Sequence, residues 1–304
     1  MKRPIIVSRF PVFEKDNSKD LLDSQTLELP ASDDNATLRV LQITDCHLGE
    51  AIGEVLAGMD TDASLASVLE LLVAEQSEHG EINAELLLAT GDLSNLGTAS
   101  AYYRLEKILQ PLGLPMAWLP GNHDVRDLMI DSVGIDRMPR LVRLGRWAIC
   151  MLDSAVPGQV GGELGATELN ELRIELDSLP ADVHIMICLH HQPVEVGSAW
   201  LDQQKVADAD RLFALLKNER RVKAILWGHV HQEFYGTHPG LPGVKLIASP
   251  STCIQFAPGQ RDFKLDTAMP GYRWLDLHAD GSIQTGVSRV EGADLRIDLA
   301  SSGY

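Results

Sequence analysis

Leu38-Arg-Val-Leu-Gln-Ile-Thr44, followed at once by Asp45-Cys46-His47, decides how this chain is read: a strand-like apolar run ends in groups able to bind a divalent metal. Four further runs end in the same way. Leu87-Leu-Ala-Thr90 leads into Gly91-Asp92, Ala117-Trp-Leu-Pro120 into Gly121-Asn122-His123-Asp124, Met186-Ile-Cys-Leu189 into His190-His191, and Ala224-Ile-Leu-Trp227 into Gly228-His229-Val230-His231. A lone Gly-Asp occurs by chance, and a lone His after a strand more often packs than coordinates. The ordered set of five, each behind a strand-like run, points to a shared site.

The intervening sequence supplies helices. Leu65, Val68, Leu69, Leu72 and Val73 repeat with helical spacing. Helices are also expected over about 100–109, 167–179 and 207–216, with strands at 147–152, 184–189 and 223–227. After His231 the helices stop, and strands are expected at 244–248, 272–277 and 282–287, the last two joined by an Asp280-Gly281 turn. Such alternation gives an α/β architecture, whose ligands gather at the carboxyl ends of strands. Gly91, Gly121 and Gly228 stand at those exits, where the backbone has to turn sharply and approach bound ions closely.

With 304 residues, 45% of them hydrophobic, the chain can bury a substantial core. One domain from residue 37 to 304 is expected, preceded by a polar, partly ordered arm of residues 1–36 with a short strand at 5–7. The formal net charge of −17 argues against a nucleic-acid partner, because that affinity comes largely from Lys and Arg. Cys46, Cys150, Cys188 and Cys253 form no Cys-x-x-Cys pair and read as buried reduced thiols. No stretch is long enough to span a bilayer, and the apolar run after Met1 stops too early for a signal peptide. A cytoplasmic protein without a membrane partner is the expectation.

The donors are carboxylates from Asp45 and Asp92, an amide from Asn122, and imidazoles from His47, His190, His229 and His231. Nitrogen mixed with oxygen suits iron, manganese or zinc better than calcium or magnesium. Seven ligands are too many for one tetrahedral ion and suit two that share a carboxylate.

These fragments resemble the calcineurin-like metallophosphoesterases. Ser249-Pro-Ser-Thr-Cys-Ile-Gln-Phe256, Phe263-Lys-Leu-Asp-Thr267 and the segment from Pro270 to Gly281 are similar to the C-terminal region of the bacterial class III 3′,5′-cyclic-AMP phosphodiesterases. The resemblance implies a four-layer αββα sandwich with two mixed β-sheets. It implies that Asp45, His47 and His231 hold one ion, that Asn122, His190 and His229 hold the other, and that Asp92 bridges them. It further implies hydrolysis of cyclic AMP to 5′-AMP, lowering its intracellular level, with substrate against His47, Asp92, Asn122, His123 and His231. His123 would be the catalytic residue at the leaving ribose 3′ oxygen. Another small phosphodiester or a phosphomonoester is the alternative substrate. An interaction module that had lost its metals is disfavoured, since no ligand position is lost.

Cys46 departs from the small or hydroxyl residue usual between that Asp and His, and its strand neighbours turn it away from the ligands. Leu93-Ser-Asn after Gly91-Asp92 is unlike the Asp-Arg-Gly of protein Ser/Thr phosphatases. Asp124 fits either a partner for His123 or an exposed helix-start carboxylate; His191 fits either support for a ligand or plain packing. Trp200 reads as core rather than a base-stacking ring. His79, His184, His238 and His278 belong to no ligand-spaced fragment and read as structural.

Overall fold

The structure, a computed structural model, describes residues 25–29 and 36–303. The strand expected at 5–7 lies outside the described residues. In chain order the elements are β1 (Thr26–Leu29), β2 (Leu38–Ile43), the hairpin β3 (Val55–Leu56) and β4 (Met59–Asp60), α1 (Thr61–Gln76), and the hairpin β5 (Ser77–Glu78) and β6 (Glu81–Ile82). Next come β7 (Leu86–Thr90), α2 (Ala99–Leu109), β8 (Met116–Leu119), α3 (Arg126–Val133), β9 (Leu141–Leu144), β10 (Trp147–Met151) and α4 (Gly165–Ser178). The chain continues through β11 (His184–Cys188), α5 (Ala199–Asp202), α6 (Ala209–Leu216), β12 (Val222–Trp227), β13 (Phe234–His238), β14 (Leu241–Ala248), β15 (Gly271–Leu277) and β16 (Ile283–Arg289).

The strands form two mixed sheets, ordered β1-β9-β10-β11-β12-β14-β13 and β16-β15-β2-β7-β8. Their stacking follows from alternation along each strand. Val40, Leu86, Leu88, Ala117 and Leu119 of the smaller sheet share one apolar cluster with Ile149, Met186, Cys188, Ala224 and Leu226 of the larger. The residues between them point outward. Leu41, Ile43, Leu87, Ala89 and Trp118 pack on Leu65, Leu69 and Leu72 of α1 and Leu105 of α2. Ala148, Cys150, Ile185, Ile187 and Ile225 pack on Leu172 and Leu176 of α4 and Leu212 of α6. Strands buried on both faces read as unbroken apolar runs, which is why each run is nearly free of charge. The layers are helix, sheet, sheet, helix.

Besides the two short hairpins, three strands are not evident from periodicity, and these sit toward the margins of the larger sheet. β1 pairs parallel with β9, so residues 26–29 of the polar arm are an edge strand. β9 pairs antiparallel with β10, and β13 antiparallel with β14. Four or five residues with one face half-exposed carry little pattern.

A buried charge group links β9 to α4. Arg140 lies 2.9 Å from Glu168, 3.0 Å from Glu171 and 2.8 Å from Glu175. Burial pushes the Glu175 carboxyl up from 4.5 to about 7 despite the guanidinium beside it. A carboxyl raised on folding stabilises fully below its unfolded value and loses that contribution as pH climbs through the folded one. The stability of wild type relative to Glu175→Gln, measured by urea denaturation, is expected to fall by about 2 kcal/mol from roughly pH 5 to pH 8. A flat difference would mean that Glu175 is already ionised at the acid end.

Candidate metal centre

Both sheets deliver groups to one point. β2, β7 and β8 of the smaller sheet end at Asp45 and His47, at Asp92, and at Asn122 and His123; β11 and β12 of the larger end at His190 and at His229 and His231. Main-chain bonds extend the ladder beyond the strands, from Asp45 N to Gly91 O and from His47 N to Asp92 O, each 2.9 Å. The Asp45 carboxylate then crosses between sheets. It accepts from His229 N at 3.1 Å on each oxygen and from Thr44 Oγ1 at 2.6 Å.

Asp45, His47 and His231 offer donor atoms within 4.8 Å of one another, as do Asp45, Asp92 and His190. His231 Nε2 is 3.2 Å from both Asp45 Oδ1 and His47 Nε2, and His190 Nε2 is 3.3 Å from Asp92 Oδ2 without hydrogen-bond geometry. The rings are held from behind. His190 Nδ1 donates to the Thr90 carbonyl at 2.8 Å and His231 Nδ1 to the Ile254 carbonyl at 2.7 Å. That tautomer leaves each Nε2 lone pair facing inward, as a metal ligand needs. Asn122 Oδ1 is buried with no hydrogen-bond partner. A buried amide oxygen left so is costly unless a cation completes it, and the donors fit a pair of divalent ions.

The backbone is bent to make this centre. Among the described residues seven non-glycines have φ in the left-handed region, and five of them are Asp45, His47, Asp92, His229 and His231. Such conformations gather at functional sites, where surrounding structure enforces them. The exit glycines have a related role. A Cβ at Gly91 would overlap the His190 ring; one at Gly121 would overlap the Asp92 carboxylate and lie 2.7 Å from His190 Nε2; one at Gly228 would overlap Thr44 and lie 2.7 Å from Asp45 Oδ2. What approaches these glycines closely is therefore the side chains at the ends of neighbouring strands.

The electrostatics show a centre short of positive charge. Burial lowers His190, but Asp92 and Asp45 more than reverse it and push the ring up to about 9. Burial works against ionised Asp92, yet His190, His123 and His47 hold it well below the usual carboxylate range. His47 and His229 are held well below the usual imidazole value by burial and by neighbouring imidazoles.

The remaining singled-out residues separate clearly. Cys46 packs with Leu65 and Tyr102 in the outer core, and burial pushes its thiol up, so it faces away from the centre. Asp124 is neither exposed nor the acceptor for the His123 ring: it accepts from Leu93 N, Ser94 N, Gly121 N and Tyr102 OH, at 2.9 to 3.2 Å, stapling two ligand loops together. His123 instead bonds the Asn95 carbonyl through Nδ1 at 2.9 Å, and its main-chain N–H donates to Asp92 Oδ1 at 2.8 Å. His191 comes within the same 4.8 Å of His190 and His229. Both its nitrogens are taken, however, Nδ1 by Ser154 Oγ at 2.9 Å and Nε2 by the Val160 carbonyl at 3.1 Å, so it supports rather than ligates. Trp200 packs edge-on against Phe256 and Phe263, and Phe256 stacks on His231 at 4.0 Å. His79, His184, His238 and His278 lie outside the donor groups among the described residues.

A cleft of about 580 Å³ opens beside the centre, lined by Asn122, His123, Val125, Arg126, Asp153 and Val156. A cavity of about 640 Å³ between Leu29, Val73, Ile82 and Leu112 contains none of the donors, so volume alone does not locate the site. Among the described residues no helix is long and apolar enough to cross a membrane.

Residues 38–233 match the calcineurin-like phosphoesterase family, and the chain belongs to it. The chain is 41% identical over 276 residues to the 3′,5′-cyclic adenosine monophosphate phosphodiesterase CpdA of Pseudomonas aeruginosa, an alignment covering 90% of this chain and 97% of that protein. It is 38% identical to the protein of the same name from Escherichia coli (strain K12), covering 91% and 98%. Among solved structures, a dimetal phosphatase from Danio rerio shares the fold with a TM-score of 0.53 and 14% identity, over 84% of this chain and 99% of that one. Gly121→Ala is expected to displace Asp92 and His190 and lower metal affinity about 10- to 100-fold while the far-ultraviolet circular dichroism is kept. Unchanged metal content in the folded variant would refute the close approach.

Proposed function

We propose that this chain hydrolyses 3′,5′-cyclic AMP to 5′-AMP at two divalent ions, iron with manganese or zinc. Similarity to the phosphodiesterases named above over nine-tenths of the chain, with every ligand position filled, carries this reading. Asp45, His47 and His231 would hold one ion, Asn122, His190 and His229 the other, and Asp92 both. Its carboxylate lies among donors of the two groups, which supports a bridging role. Bound there, the ions would polarise the phosphoryl oxygens and supply a water nucleophile near neutral pH.

The chain's own residues do the rest. His47, Asp92, Asn122, His123 and His231 would lie against the substrate phosphate. His123 is half-buried and lines the cleft, where the nucleoside can sit. The Asn95 carbonyl accepts its Nδ1–H and so orients the ring, and in the imidazolium form Nε2 would be the nitrogen that gives a proton to the departing ribose 3′ oxygen. A water oxygen would bond to phosphorus as the bond from phosphorus to the 3′ oxygen breaks; the 3′ oxygen takes the proton and the phosphate stays on the 5′ oxygen. We read residues 37–304 as one catalytic domain, with residues 26–29 lending it an edge strand. Four free, buried cysteines support a reducing, cytoplasmic setting.

Elemental analysis of protein purified without chelator is expected to find about two ions per chain. Asp92→Ala should lose both, whereas loss of one would end its bridging role. Turnover of cyclic AMP, cyclic GMP and simple aryl phosphates compared in one panel tests the substrate, and no preference for cyclic AMP would overturn it.

His123→Ala is expected to keep both ions and slow cyclic AMP turnover roughly 10²- to 10⁴-fold. A p-nitrophenyl diester, whose leaving group needs no proton, should suffer much less. Equal losses on both would leave only charge stabilisation, and a lost ion would make His123 a ligand.

A further inference from the structure

His190 and His231 donate to backbone carbonyls, which no side-chain substitution removes. His229 is held differently. Its Nε2 lies 3.1 Å from Oε1 of Gln204, on the loop after α5. We propose that Gln204 is a positioning residue that fixes which nitrogen of His229 faces the metal centre, an inference that rests on the dimetal reading above.

An amide can present either end. Its oxygen requires a proton on Nε2 and leaves the Nδ1 lone pair free as a donor; its nitrogen would force the proton onto Nδ1 and block it. Only the first arrangement serves an ion. Everything else about His229 is already fixed: its main chain donates to both Asp45 oxygens at 3.1 Å, and its ring lies 4.7 Å from that of His191 and 5.2 Å from that of His190. His191 cannot replace Gln204, since Ser154 and Val160 occupy both its nitrogens. Gln204 is itself anchored, donating from its N to the Leu201 carbonyl at 2.8 Å and accepting from Gly162 N at 3.3 Å. A proton on His229 thus depends on one replaceable acceptor, so disturbing that acceptor should affect one ion and spare the other.

The test titrates metal-free protein with Mn²⁺ by calorimetry, in wild type, Gln204→Leu and Gln204→Glu. Wild type is expected to bind two ions. Leu, with no acceptor, should weaken one of them about 10- to 100-fold and leave the other near wild type. Glu, which can only accept, should restore the weakened ion, a rescue that a purely structural role would not give. Two wild-type affinities in the Leu variant, equal weakening of both ions, or a Glu variant no better than Leu would overturn the proposal. Failure of wild type to bind two ions would instead overturn the dimetal reading itself.

Discussion

The Asp45 carboxylate fastens the ends of the two sheets together. It leaves the smaller sheet at the end of β2 and accepts from the His229 amide at the end of β12 in the larger one, at 3.1 Å on each oxygen. A charge-assisted bond to a main-chain amide in a dry setting is among the stronger protein hydrogen bonds. Because it acts between sheets, it sets the separation at which His190, His229 and His231 meet Asp92 and Asn122. Each sheet alone carries an incomplete donor set. The stacking that buries the inter-sheet core therefore also assembles the centre, and anything that lets the sheets slide would scatter the ligands before unfolding either one.

That assembly has a cost in the protein alone. Five ligand candidates hold left-handed backbone conformations, each worth roughly 1–3 kcal/mol of strain. Imidazole nitrogens of His47 and His231 are held 3.2 Å apart, and Asn122 Oδ1 is buried without a partner. The raised pKa of His190 is a partial answer, placing one positive charge beside Asp92. Divalent ions answer all of these at once, so metal binding and the stability of this end of the fold are linked.

Much of this is legible in the sequence for a physical reason. Strands buried on both faces must be apolar throughout, and ligands at their ends must be Asp, His or Asn, so run and ligand appear side by side, as in Ala224-Ile-Leu-Trp227 before His229. What escaped has no such signature. The strands at the margins of the larger sheet, β1, β9 and β13, are only four or five residues long, and the two outermost, β1 and β13, are partly exposed. Several partners of the candidate site residues are main-chain carbonyls, those of Thr90, Asn95 and Ile254, which any residue could supply. Gln204 belongs to no motif and becomes visible only once folding places it at His229. Asp124, adjacent in sequence to His123, serves Leu93, Ser94, Gly121 and Tyr102 instead, because proximity in sequence does not fix where a carboxylate points.

The acidity of the chain sharpens the dependence on metal. A phosphodiester is an anion, and a protein of net charge −17 repels it at long range. Many phosphate sites offset this with several Lys or Arg. Among the described residues the cleft beside the centre is lined by one such residue, Arg126, which shares its charge with Asp153 at 3.5 Å, while Asp124 and Asp127 also line it. Arg126 cannot outweigh three carboxylates. The attraction that brings the phosphate in must then come from the ions, so affinity for substrate and the chemistry performed on it draw on the same charge. In such a site a partly loaded chain would lose binding together with turnover.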